Sequence, residues 1–316
     1  MTVRHYHSTD AGAPILTGQA GSLISLLDAI LVNGYDSKPG LGWTIAYSSG
    51  DKRAYRLNSA TQSGRYLRVD DSNAQYAIVN AYNAMTDVDT GTGGFPSTAT
   101  ARYWRKSASS DAVARAWDAY GDEAFLYLFV KWSTTAVYLH AVYTFGDLVP
   151  LADNPGVVSV MTGYQANNST FPYQSSGDFL NPNMTNAGTN IHAIPAYDGT
   201  LTEQNGRGVG HYMIGGQIGD GWLPLTNGEP NGVGLRASPC LLSRLGGNQV
   251  GTNPPNWMVG EFPGLLCPWH RPNGSTLHGT VYNDLIDGGG RSYMLQGIDV
   301  GNVAGGVLMD ITGPWR

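Results

Sequence analysis

The chain does almost without lysine and glutamate. There are four of each in 316 residues: Lys38, Lys52, Lys106 and Lys131, and Glu123, Glu203, Glu229 and Glu261. Glycine occurs 43 times. Lysine and glutamate furnish solvated helix faces, through i,i+4 pairs and high helix propensity. Gly, Asn, Ser, Thr, Asp and Tyr stand in their place, a set that suits turns, strand edges and pleated surfaces. The expected fold is mainly β, an antiparallel sandwich or twisted sheet with little helix and long ordered loops.

The apolar share of 41% and aromatic share of 10% are enough to fill a core, which excludes wholesale disorder. The length admits two domains or one large all-β unit. A net charge of -6, with 18 Lys and Arg dispersed along the chain, excludes a nucleic-acid-binding surface. Cys240 and Cys267 are too few for a disulfide framework or a four-cysteine zinc site. They read as two buried small apolar residues, with a bridge between them as the alternative. Met1 to Pro14 is polar and lacks the apolar stretch of a secretory signal. Leu23 to Val32 is broken by Ser25 and Asp28 and is too short to cross a bilayer. The expectation is a soluble product, made in the cytoplasm, with no membrane insertion.

One helix is predicted over about residues 22–33. Leu23, Leu26, Leu27, Ile30 and Leu31 share a face, Ser22 is a candidate N-cap, and Asn33-Gly34 supplies a stop. Such a helix should lie on a sheet. From Gly42 onward the period changes to two. Gly42–Tyr47, Lys52–Arg56, Arg65–Asp70, Gln75–Met85, Ala101–Ser107, Arg115–Ala119, Ala124–Trp132 and Ala136–Phe145 make about eight strands. Leu67 and Val69 should face inward and Arg68 outward. Ala124–Trp132 is apolar at nearly every position, as befits a central strand covered on both faces. Beyond Pro150 the chain is rich in Asn, Pro, Gly, Ser and Thr, with strand-like pieces at His211–Ile218, Thr280–Tyr282, Tyr293–Ile298 and Val307–Ile311. This divides it into 1–150, a β domain with the helix, and 151–316, a loop-rich β region that stands alone or interleaves with the first.

Candidate chemistry is sparse. Asp87 and Asp89 lead into Gly91, a weak calcium-like spacing without the further ligands of an EF-hand, and a solvated hairpin tip explains them better. His5 and His7 share a face of an extended segment but lack a third ligand nearby, which suggests a flexible N-terminal arm. Asp122 and Glu123 are adjacent and best explained by a hairpin turn between Ala119 and Ala124. Gly206-Arg-Gly-Val-Gly210 and Gly288-Gly-Gly290 are poor phosphate loops. Cys267-Pro-Trp-His270 reads as a rigid packed turn rather than a nucleophile pair. No catalytic residue, metal site or cofactor site is assigned.

Three stretches together resemble virion structural proteins of tailed bacteriophages. The first is Met1 to Tyr47, including His5-Tyr-His-Ser-Thr-Asp-Ala-Gly-Ala-Pro14, Leu16-Thr-Gly-Gln-Ala-Gly-Ser-Leu23 and Gly42-Trp-Thr44. The second runs from Tyr66-Leu-Arg-Val-Asp-Asp71 to Met85-Thr-Asp-Val-Asp-Thr-Gly91. The third joins Gly289-Gly-Arg-Ser-Tyr293 to Val307-Leu-Met-Asp-Ile-Thr-Gly-Pro-Trp-Arg316. The likeness is clearest at the two ends and weakest over about 150–280.

It implies a non-enzymatic component of the virion, most simply of the tail at the neck, collar or baseplate. A tail-tip receptor-binding protein, a head decoration protein and a polysaccharide-degrading tail enzyme are the alternatives. The implied partners are copies of the chain, other virion proteins and, for the tail-tip reading, a host surface receptor. The N-terminal arm and the stretch after Pro150 would clasp neighbours. Tyr164, Tyr173, Trp222, Trp257 and Trp269 are the interface candidates, since Tyr and Trp contribute much contact area. Trp315-Arg316 follows a strand-like segment and is expected to be packed.

Overall fold

The computed structural model describes residues 2–58, 60–96, 102–133, 140–151, 158–165, 192–195, 204–209, 237–244, 258–268, 279–283, 290–300 and 303–315. Strand β1 (Arg4–His7) opens the chain, so the expected flexible arm is instead part of a sheet. Helix α1 (Ser22–Leu27) continues as a π-helical segment, Asp28–Asn33, and Gly34 ends it with φ 75°. The predicted apolar face is buried through Leu23, Leu26, Leu27, Ile30 and Leu31. Ser22 does not cap the helix. Gly21 occupies the N-cap position, and the Asp71 carboxylate accepts from the Leu23 and Ile24 amides instead.

Next come β2 (Thr44–Ser49), β3 (Lys52–Arg56), β4 (Tyr66–Asp70) and β5 (Tyr76–Tyr82), then the hairpin β6 (Ala84–Asp87) and β7 (Thr90–Thr92), and β8 (Arg102–Arg105). Leu67 and Val69 are fully buried and Arg68 only partly, as the alternation requires. The next strands are β9 (Trp117–Gly121), β10 (Phe125–Lys131), β11 (His140–Asp147), β12 (Ser159–Thr162) and β13 (Tyr164–Gln165). The chain continues through β14 (His192–Ile194), β15 (Gln204–Val209), β16 (Ala237–Arg244) and β17 (Met258–Pro268). It closes with β18 (Val281–Asn283), β19 (Ser292–Val300) and β20 (Val303–Asp310). Apart from the small hairpin β6-β7, these strands form two antiparallel sheets. The smaller runs β13-β8-β5-β4-β3-β2 and the larger β1-β9-β10-β11-β12-β14-β15-β16-β17-β20-β19-β18. The fold is therefore mainly β, as expected.

The larger sheet curls until β17 meets the chain just past β11. There Val149 and Glu261 exchange backbone hydrogen bonds at 3.0 and 2.9 Å. This places the C-terminal strands over one face of β10. Tyr127 donates to the Pro263 carbonyl at 2.9 Å, and the Phe125 ring meets Phe262 edge-on. The opposite face of β10 carries Leu126 and Leu128, in register with Phe145 and Tyr143. Those two rings pack on Trp43, beyond the helix, and Trp104 of β8. Residues 125–130 are all fully buried, so β10 is the doubly covered strand its composition implied.

Gly264 shows why a glycine is needed where the layers meet. Its φ is +65°, and a Cβ there would lie 2.1 Å from the Trp315 indole nitrogen. Trp315 uses that space to reach Tyr127 and donates to the Asp310 carbonyl at 3.0 Å, so it is packed as expected.

Candidate functional site

Among the described residues, three clusters of polar side chains join elements that lie far apart in the sequence. The first gathers residues from both ends. His5 and His7 alternate onto one face of β1, where the register sets them opposite Tyr120 and Asp118 of β9. Each imidazole Nε2 lies 3.3 Å from Asp118 Oδ1, and the His5 ring stacks on Tyr120 at 4.3 Å. His7 Nδ1 accepts the Thr9 backbone N–H at 3.0 Å, which leaves Nε2 to carry the proton toward Asp118. From the covering layer, Gln296 of β19 donates to Asp118 Oδ2 at 3.3 Å and accepts from the Tyr120 hydroxyl at 3.0 Å. Burial raises the Tyr120 hydroxyl well above its usual pKa, so it remains a donor.

This arrangement clamps a strand; it does not assemble a nucleophile beside a base. Asp118→Ala removes the acceptor shared by both histidines and Gln296. The expected loss is about 2–3 kcal/mol of unfolding free energy, read from the urea midpoint at unchanged m-value.

The second cluster lies beneath the helix start. Asp71 and Lys106 are fully buried and in direct contact. Asp71 Oδ2 accepts from the Leu23 and Ile24 amides at 2.7 and 3.2 Å, and Lys106 Nζ also donates to the Gln19 carbonyl at 2.6 Å. Burial pushes the Asp71 carboxyl up to about 6, against the opposing effect of the Lys106 ammonium. Burial likewise lowers Lys106, against the pull of Asp71.

In the third cluster Asp147, at the end of β11, accepts from the Ser63 amide at 2.8 Å and from the Ser159 hydroxyl. Arg65 donates to that hydroxyl at 2.7 Å. These bonds pin the turn between β3 and β4 to the paired ends of β11 and β12 in the larger sheet.

The predicted candidates fall elsewhere. Asp87 and Asp89 flank the tip of the β6–β7 hairpin, where Lys52 at 2.8 Å and Arg68 pair with Asp89. Hydrogen bonds from these two cations hold the Asp89 carboxyl below its usual range. Among the described residues, no group of three or more His, Cys, Asp and Glu side chains is placed to hold a metal ion.

Asp122 accepts from the Ala124 and Phe125 amides at 2.8 Å each and closes the β9–β10 turn. Cys240 and Cys267 are buried and are not joined by a disulfide. Gly206 to Val209 lie within β15, so this part of the glycine run is strand, and Gly210 lies outside the described residues. Of the interface candidates, Tyr164 sits in β13 with its backbone paired to Tyr103. Tyr173, Trp222, Trp257 and Trp269 lie outside the described residues, as do the strand-like piece His211–Ile218 and His270. Among the described residues, no helix is long and apolar enough to cross a membrane.

Asp71, Lys106 and Asp118 were not legible as a group. Lys106 offered one signal: a lysine, rare in this chain, inside an otherwise strand-like segment. No protein-family model and no curated protein matches the sequence.

Proposed function

We propose that the chain is a non-enzymatic structural component of a tailed-phage virion, placed most simply in the tail at the neck, collar or baseplate. The observation that carries the reading is the use made of its polar side chains. His5, His7, Asp118 and Gln296 fasten the first strand to the last layer, and Asp71 with Lys106 fastens the helix to the smaller sheet. His5 and His7, which lie in the first of the stretches that resemble virion proteins, take part in the first of these joints.

A body of interlocked β layers suits a part that repeats within a particle and bears load there. Its partners are then copies of itself and neighbouring virion proteins. Immunogold electron microscopy of purified particles, with antibody raised against the recombinant chain, tests the reading. Gold confined to the tail is the expected result, and its position at neck or tip separates a connector from a receptor-binding part. Gold over the capsid moves the chain to head decoration. Absence from particles, by gold and by mass spectrometry, overturns the virion reading.

A further inference from the structure

We infer that Lys106 and Asp71 are built to condense into an intramolecular amide, a covalent cross-link between the strand β8 end and the strand β4 end. Four features of the site point to it. Both side chains are fully buried and in direct contact, so amine and carboxyl are held together away from competing water. Asp71 Oδ2 rests on the Leu23 and Ile24 backbone N–H groups, donors placed where negative charge would develop during attack on the carboxyl carbon. Lys106 Nζ has a second acceptor in the Gln19 carbonyl at 2.6 Å, which orients the remaining N–H. Burial shifts both groups toward their neutral forms, the forms that react.

The step balances without a co-reactant. A proton passes from Nζ to Oδ1 along their hydrogen bond, giving a neutral amine and a neutral acid. The Nζ lone pair attacks Cγ, and the carbonyl electron pair moves onto Oδ2, where the two amides receive it. Oδ1 then departs as water with the transferred proton and a second proton from Nζ. The new amide keeps one N–H. In the positions already occupied, that N–H donates to Gln19 and the carbonyl oxygen accepts from Leu23 and Ile24. Every polar atom of the product is partnered, and two buried charges are gone. The bond would close a 35-residue span, constraining the unfolded chain as a disulfide does. This inference stands whether or not the chain is a virion part.

Mass spectrometry of the purified, fully denatured full-length chain tests it. The expected mass is one water below that of the sequence. Proteolysis should yield a branched peptide joining the segments around residues 71 and 106. Exhaustive acetylation in denaturant should label Lys38, Lys52 and Lys131 but not Lys106. Lys106→Arg, which keeps a cation but cannot form this amide, should restore the full mass and abolish the branched peptide. A wild-type mass equal to the sequence, with Lys106 acetylated, overturns the inference and leaves an ion pair. A water lost without the branched peptide overturns it equally, since that loss belongs to another site.

Discussion

Replacing Lys106 with methionine lowers the unfolding free energy by about 3–5 kcal/mol, the cost of leaving the buried Asp71 carboxylate without its Lys106 partner. The Asp71 carboxylate keeps the Leu23 and Ile24 amides but loses its counter-charge at a site with no exposure to water. The double variant Asp71→Asn, Lys106→Met keeps an oxygen for those amides and carries no charge. It should exceed the single variant by at least about 2 kcal/mol, an interaction that two independent sites would not show.

The pH dependence has a definite sign. Burial raises the folded Asp71 carboxyl from its ordinary value of 3.8 to about 6. The folded state then binds this proton more tightly than the unfolded state does. Its stabilising contribution is complete below 3.8 and is lost as pH rises through about 6. Without Lys106 the opposing positive charge is absent, so the carboxyl rises further and the window extends upward. Lys106→Met should therefore recover stability as pH is lowered, and urea unfolding curves between about pH 5 and 8 measure the recovery. The variant carries this titration whether the wild-type pair is ionic or condensed, because its carboxyl is free either way. A deficit that did not change with pH would show that Asp71 is already neutral at the upper end of the range.

The sequence made the N-terminal strands legible because there period and punctuation agree. Lys52–Arg56 is β3 to the residue, and the expected strand around Leu67 and Val69 differs from β4 by one residue at its start. The C-terminal strands were obscured by the same residues that shape them. β16 contains Pro239 and β17 contains Gly260, Pro263, Gly264 and Pro268, which read as loop signals. In the folded chain they accompany register shifts between β16 and β17 and the close approach of Trp315 at Gly264.

Strand β1 was missed for a different reason. Only Tyr6 of its four residues is buried, so no apolar alternation announces it. Its pairing partners lie more than a hundred residues away, as the His5–Asp118 separation of 113 shows. The site suffered from the same distance. Asp71 and Lys106 are 35 residues apart and Asp118 and Gln296 are 178 apart, and no local pattern encodes either meeting.

Leu128→Ala and Phe129→Ala should each cost about 2–5 kcal/mol, although adjacent strand residues point to opposite faces. In a sheet with one wet face, one of the pair would be nearly silent. Here Leu128 lies in register with Tyr143, whose ring stacks on Trp104 at 5.3 Å, while Phe129 meets Tyr120 edge-on at 5.8 Å. The first truncation opens a cavity toward the smaller sheet, and the second opens one toward the layer that carries Gln296. Because β10 shares its two faces with different layers, the two losses should add within about 0.5 kcal/mol if the cavities are independent. Chemical denaturation of the two single variants and the double variant measures all three values. A change below about 0.5 kcal/mol at either position would mean that one face of β10 is open to solvent, and the layered arrangement would be wrong. If both losses are large but fall well short of additive, the layers instead relax together around the strand, as one continuous core.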